Sequence, residues 1–387
     1  MGKPVVIIGA GLAGIAAAIQ LEKNNREVIV LESSDRVGGR LTSDRIDGYI
    51  CDRGFQLINS KYPAVIELDV IKEIDFIVAP RTIQVAMGSE HFALGDPRTA
   101  PWTALDRATG SMSEKFAFVR YLLSKSISGN SLAQELKNAG TGNLYSRVLE
   151  PFLTGVFLTN PDRVDAIYGK TVIKSFISGT PGLPRYGVGD FSNALGKRLK
   201  DVRLGTRAEA IRGSDVETNH GRIQASEIIV ATDATTASQL LDLRDIPRIL
   251  GCTTWYHSVD AGTRNGQLVI DGQARGPVIN SLAISKISPS YAPAGKDLIS
   301  TTTPISVTES ETRRHLALMW GMDTRDWQLV AKYEIPSALP LQGIGRSLSQ
   351  NVHVRENIYC VGDHRTTPSQ QGALFSGKLA AELILNK

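Results

Sequence analysis

Three glycines, Gly9, Gly11 and Gly14, stand between a short apolar run, Pro4 to Ile8, and a stretch of small residues, Leu12 to Gln20. The run reads as a buried strand and the stretch as a helix, and a second strand-like run follows at Glu27 to Leu31. A parallel strand pair needs a crossover of about a dozen residues or more, and Gly9 to Arg26 supplies one that contains a helix. In such a β-α-β unit Gly9 permits the tight turn, Gly11 lets backbone amides approach a diphosphate, and Gly14 lets helix and strand pack closely. Leu12 and Ala13 open the helix whose N-terminus faces the phosphate charge. Glu32 ends the second strand, where a carboxylate accepts hydrogen bonds from adenosine ribose hydroxyls and repels a 2′-phosphate. Ser33, beside it, joins the candidate contacts. FAD and NAD share the ADP half that such a unit holds, so the glycines alone do not choose between them.

The 387 residues are 42% hydrophobic, enough for a sizeable core and two or three structural domains. Lys and Arg total 43 against 39 acidic residues, with no basic run, so a nucleic-acid groove is not indicated. Cys51, Cys252 and Cys360 are scattered and lack any C-x-x-C spacing, which argues against a disulfide framework or a zinc site. A reducing, cytoplasmic setting follows, and no metal is expected. The first apolar run passes straight into Gly9, leaving no room for a secretory leader. No stretch reaches the roughly 18 apolar residues of a spanning helix, which leaves peripheral membrane contact open.

From about residue 81 to 184 the text turns helical, with runs at Glu114 to Lys125 and Ser131 to Asn138. The first of these is apolar at Phe116, Val119, Leu122 and Leu123 but also at Ala117, Phe118 and Tyr121, an unusually wide surface. Burial between two layers explains it most simply; lining a pocket or touching lipid are the alternatives. Leu204 to Asp233 reads as short strands with a turn at Asn219 to Gly221 and a closing strand at Ile228 to Ala231. Further strand-like pieces are Gln267 to Ile270, Pro277 to Ile284, His315 to Met319 and Asn357 to Val361, and Gly372 to Leu385 is a helix.

After Glu32 the chain reads Ser33-Ser34-Asp35-Arg36-Val37-Gly38-Gly39-Arg40-Leu41-Thr42, which resembles the E-x(5)-G-G-R signature of the flavin amine oxidase superfamily. That group includes amine oxidases, protoporphyrinogen oxidases and phytoene desaturases. Gly39 and Leu41 flank Arg40, whose guanidinium can add a charge-assisted bond to phosphate. Gly48 to Gln56 is similar to the stretch that brings backbone against the flavin ring, which makes Gly54, Phe55 and Gln56 candidates. Pro184 to Ala208 is similar to the return to the flavin domain, and the resemblance implies an adenine contact at Ala208. Tyr359 to Asp363 with Pro368 to Gly377 is similar to the second flavin motif. There it implies contacts at Gly362, Asp363, Gln371, Gly372 and Ala373, with the last two opening a helix near the ring. Pro151 to Phe157 is similar to a protoporphyrinogen oxidase and desaturase pattern.

The resemblance implies an α/β fold: a discontinuous Rossmann-type FAD-binding domain at 1–80, 185–245 and 346–387. An inserted α+β substrate-binding domain takes 81–184 and 246–345. It also implies an FAD-dependent oxidoreductase that takes a hydride from a small molecule. Amine oxidases of the group carry an aromatic residue where this chain has Ser369, a departure that favours a bulky, apolar substrate. Cys360 lies inside a strand, so non-covalent FAD is expected. Lys286 is a candidate for holding water near the flavin, His257 and His364 are candidate bases, and no catalytic side chain is assigned. A flavoprotein isomerase or non-catalytic flavin binder is the first alternative, and an NAD-linked dehydrogenase the second.

Overall fold

Val5–Ile8 contributes four buried aliphatic residues and sits near the middle of a six-stranded sheet in a computed structural model that describes residues 2–95, 100–263 and 265–387. It pairs in parallel with Val28–Leu31 on one side and Glu227–Val230 on the other. Ile358–Cys360 extends the parallel set, Val202–Arg203 forms one edge, and antiparallel His353–Arg355 forms the other. Strands covered on both faces read as continuous apolar runs rather than alternating ones, as these do. The α/β, Rossmann-type expectation holds, with the sheet drawing on residues 5–31, 202–230 and 353–360.

Two helices cover one face. Leu12–Lys23 opens the chain and Gln370–Leu385 closes it, and their small residues, among them Ala13, Ala17, Ala380 and Ala381, share one core. A Cβ on Gly377 would overlap the Ala13 carbonyl oxygen, so the helices cross backbone against backbone.

A second sheet of seven strands runs Gln328–Pro340, Ile249–Asp260, Lys296–Thr303, Asn280–Ala283, Leu268–Asp271, Thr82–Met87 and Glu90–Gly95. All its pairings are antiparallel except Leu268–Asp271 with Thr82–Met87. Helices between residues 112 and 178 pack beside it, joining Leu132, Leu136, Tyr145, Leu153 and Phe157 to Val85 and Ile270 of its strands. Asp52 ties the two sheets' surroundings together. Its buried carboxylate accepts from Ser43 Oγ (2.6 Å), Val188 N (3.1 Å) and Tyr291 Oη (2.8 Å), while Tyr256 Oη donates to its carbonyl. Burial pushes this carboxyl up to about 6.

Several expectations need correction. His315 to Met319 is not a strand but part of the helix Glu309–Trp320, whose buried Thr312, His315, Leu316 and Met319 follow the helical period. Its start is a capping box between Thr308 and Glu311, a signal that the sequence itself carries. The helix expected at Glu114 spans Met112–Leu123, because Ser111 and Glu114 form a capping box two residues earlier. Pro277 to Ile284 shortens to Asn280–Ala283, and the closing helix starts at Gln370, capped by Ser369. Among the described residues no helix is long and apolar enough to cross a membrane.

Candidate active site

The glycine turn after Val5–Ile8 opens onto a cleft of about 1150 Å³, above the roughly 300–1,000 Å³ of ordinary small-ligand pockets. It lies at the carboxyl ends of the parallel strands, where open α/β sheets bind their ligands. Gly9 adopts φ +107° and a side chain there would press on Ala231, while a Cβ on Gly14 would overlap the Gly9 carbonyl. Gly11 differs: a Cβ there would meet nothing within 4 Å, because it would project into open space. Gly11 caps the opening helix without a side-chain hydrogen bond, and Leu12 and Ala13 line the cleft. The first-turn amides are therefore left for an anion, and a diphosphate suits that donor set.

The second turn rests on the first. Gly38 N donates to Ala10 O (2.8 Å), and a Cβ on Gly39 would stand 3.4 Å from Gly11 Cα. Glu32 Oε2 accepts from Ala10 N (2.8 Å) and Oε1 from Ser34 N (2.9 Å), so the carboxylate that ends the second strand also braces the glycine turn. Arg40 Nη2 lies 2.7 Å from Asp363 Oδ2 and Nη1 donates to Ala338 O (2.7 Å). Asp363 raises the Arg40 pKa above its usual value, keeping the guanidinium charged.

Gly9, Gly11, Leu12, Ala13, Glu32, Ser33, Gly39, Arg40, Leu41, Gln56, Ala208, Gly362, Asp363 and Ala373 all line this one cleft. Other candidates lie elsewhere. Gly14 is spent on helix packing. Of Gly54, Phe55 and Gln56, Gln56 lines the cleft, while Phe55 packs into the core around Tyr49 and Ile50 and Gly54 faces Ile335. Gln371 turns away, its Oε1 accepting from Ala64 N (3.0 Å), and Gln370 takes the lining position. The Gly372 amide donates to Ser369 Oγ (3.0 Å) and the Ala373 amide to Ser369 O, so neither is spare; the first-turn amides of Gln370 and Gln371 remain.

Residues that sequence reasoning missed complete the lining. Thr232 and Asp233 follow the strand Glu227–Val230, and that position at a parallel strand's carboxyl end was itself a signal. Tyr62, Val156, Tyr168, Val172, Ser175 and Phe176 come from outside the strands of the six-stranded sheet; Val156 lies in the Pro151 to Phe157 stretch already singled out, and nothing local in the sequence marks the other five. Tyr168 Oη donates to Pro368 O (2.8 Å), fixing one wall to the loop before the closing helix.

The other candidates sit off the cleft. Lys286 pairs with Asp297 at 3.1 Å. His257 and His364 are buried and their pKa values pushed down to about 4 by that burial, so both are neutral at neutral pH. Cys360 is fully buried, its Sγ 3.6 Å from His364 Nε2, and burial pushes its thiol up to about 11.

Residues 12–385 match the family described as flavin containing amine oxidoreductase. A human lysine-specific histone demethylase 2 is 50% identical over 58 residues, 15% of this chain and 7% of that protein. The chloroplastic protoporphyrinogen oxidase of Nicotiana tabacum is 26% identical over 187 residues, 43% of this chain and 31% of that protein. Among the first curated relatives the shared stretches span 7% to 38% of their lengths. An oxidoreductase from Methanosarcina mazei has the same fold, with a TM-score of 0.78 at 16% identity, covering 100% of both chains.

Proposed function

The chain belongs to the flavin containing amine oxidoreductases, whose standard cofactor is FAD, and we propose that it oxidises an uncharged, apolar small molecule rather than an amine. Charge around the cleft is confined to Glu32, Arg40, Arg207, Glu209, Asp233 and Asp363, all on segments of the dinucleotide fold. The remaining wall, Leu57, Tyr62, Val156, Tyr168, Val172 and Phe176 with Asn59 and Ser175, carries neither a carboxylate nor a cation. That distribution carries the reading, since an ammonium group taken out of water is stabilised best by a counter-charge and this wall supplies none. Ser369, standing where amine oxidases carry an aromatic residue, is committed to capping the closing helix.

Bound in the cleft, the flavin supplies a two-electron acceptor for a hydride. The chain's own work is binding, orientation and exclusion of water. The amides of Leu12 and Ala13 hold the diphosphate, Glu32 the adenosine ribose, and the Arg40–Asp363 pair the stretch between diphosphate and ring. Gln56 and Gln370 stand at the polar edge of the apolar wall, and no side chain is assigned a proton-transfer step. Attachment is non-covalent, supported by Cys360 lying buried behind Gly362 and off the lining. The division into an FAD-binding domain of 1–80, 185–245 and 346–387 and a substrate-binding domain of 81–184 and 246–345 belongs to the same proposal, supported by the separate segments that feed the two sheets.

An isomerase is not favoured, because the two curated relatives described above are named as an oxidase and a demethylase, although a UDP-galactopyranose mutase shares the fold at 16% identity and a TM-score of 0.74. An NAD-linked enzyme using the first unit alone does not fit a flavin family matched through residue 385. The test is anaerobic bleaching of the purified yellow protein. A polyene or porphyrinogen donor is expected to remove the visible flavin band while simple alkylamines leave it; the reverse pattern would overturn the proposal.

A further inference from the structure

The turn Pro101–Leu105 and the helix Met112–Leu123 leave large apolar side chains in the open. Met112, Phe116, Val119 and Leu123 follow one another at helical spacing and are between 48% and 83% exposed, and Trp102 and Leu105 beside them are each 68% exposed. The helix is anchored by its other side, where Ala117 and Tyr121 are buried, so its wide apolar surface is divided between an inner and an outer face. Scattered apolar residues on a surface need no explanation, but a contiguous stripe of this kind marks a contact.

Cations outnumber carboxylates around the stripe, four to two over residues 100–127. Residues 100–127 contain two carboxylates, and both are taken up by backbone amides: Asp106 by Ala108 N (2.8 Å), Glu114 by Ser111 N (2.7 Å) and Asn143 N (2.6 Å). Arg107, Arg120 and Lys125 are exposed. An isologous contact with a second copy would bring these like charges together, whereas an anionic headgroup layer accepts them. A helix with Phe and Leu outward and Arg and Lys at its border is the pattern of an interfacial anchor.

We infer that this face docks the protein on an anionic lipid surface, with the helix Met112–Leu123 lying in the plane of the headgroups. One helix touches both the inner side of this anchor and the cleft. Lys170 of the helix Ala166–Ser178 donates to Ser124 O (3.1 Å) and lies 3.9 Å from the centre of the Tyr121 ring, and the same helix gives Tyr168, Val172 and Phe176 to the cleft wall. Delivery of an apolar donor from the bilayer rests on the function proposed above; the contact itself does not.

The test is sedimentation of the flavin-loaded protein with vesicles of phosphatidylcholine containing phosphatidylglycerol, and with phosphatidylcholine alone. Wild type is expected to bind the anionic vesicles more strongly, and less as salt is raised. Phe116→Glu with Leu123→Glu lowers partitioning by about tenfold or more, and Arg120→Glu with Lys125→Glu does so on the anionic vesicles. All four sites are exposed, so flavin content and thermal midpoint stay at wild-type values. Wild type remaining in the supernatant, the apolar variant binding as wild type does, or a lipid-free dimer that this variant dissociates would each overturn the inference. Reduction by an apolar donor dispersed in detergent is read in parallel. A failed donor assay counts against the proposed function, and a failed sedimentation against the docking face.

Discussion

Arg40 Nη2 stands 2.7 Å from Asp363 Oδ2, joining the turn that follows the second strand to the loop that precedes the closing helix. Residues from opposite ends of the chain thus meet across the lip of the cleft, and each limits where the other's charge can go. Asp363→Asn keeps the shape and removes the charge. Charge-assisted bonds contribute about 1.5–3 kcal/mol, and Arg40, with 39% of its side chain exposed, is partly screened. The dissociation constant for FAD is expected to rise about tenfold, read from the flavin released on dilution. Occupancy equal to wild type would remove Asp363 from the site.

Gly11 and Gly14 separate binding from folding. A side chain on Gly11 enters open space, whereas one on Gly14 collides with the Gly9 carbonyl. Gly11→Val is therefore expected to yield folded, colourless protein with a thermal midpoint near that of the flavin-free wild type, and Gly14→Val to yield little folded protein. Yellow Gly11→Val protein would refute the diphosphate assignment.

Asp52 couples stability to pH. Its folded pKa, about 6, lies above the ordinary value, so the native state takes up the proton first as pH falls. Stability from this group is complete below about pH 4 and is lost as pH rises through about 6, a contribution on the order of 3 kcal/mol. Subtracting the pH profile of Asp52→Asn from that of wild type should expose this slope. A flat difference between pH 4 and 7 would show that the carboxyl is not perturbed.

Tyr168→Phe removes the bond to Pro368 O and nothing of the ring. A loss of about 0.5–1.5 kcal/mol in stability is expected. Because the ring lines the cleft, KM for the donor should rise more than kcat falls, with flavin content unchanged. A change in kcat alone would place the hydroxyl in the chemistry.

The dinucleotide unit could be read from residues because its demands are local: Gly9, Gly11 and Gly14 answer steric requirements within one turn, and Glu32 follows one crossover later. The closing motif was legible in place but not in detail. Whether Gln370 or Gln371 faces the cleft depends on the helix starting at Gln370, behind its Ser369 cap, rather than at Gly372. The apolar wall was legible only at Val156, through the resemblance of Pro151 to Phe157. Tyr62, Val156 and Phe176 converge through tertiary packing, and no spacing in the chain records that they do. His315 to Met319 was misread for a different reason: five residues are too few to tell a period of 2 from one of 3.6, and the capping box upstream decides it.

Ala13 and Gly377 touch through their backbones, so the helix beneath the phosphate-binding turn rests on a partner drawn from a distant stretch of sequence. Phe191 and Leu195 pack on the same helix, but the Gly377 contact leaves no room for even one added carbon. Gly377→Ala is therefore expected to loosen coenzyme retention from a position remote from the cleft, read as free flavin separating on gel filtration.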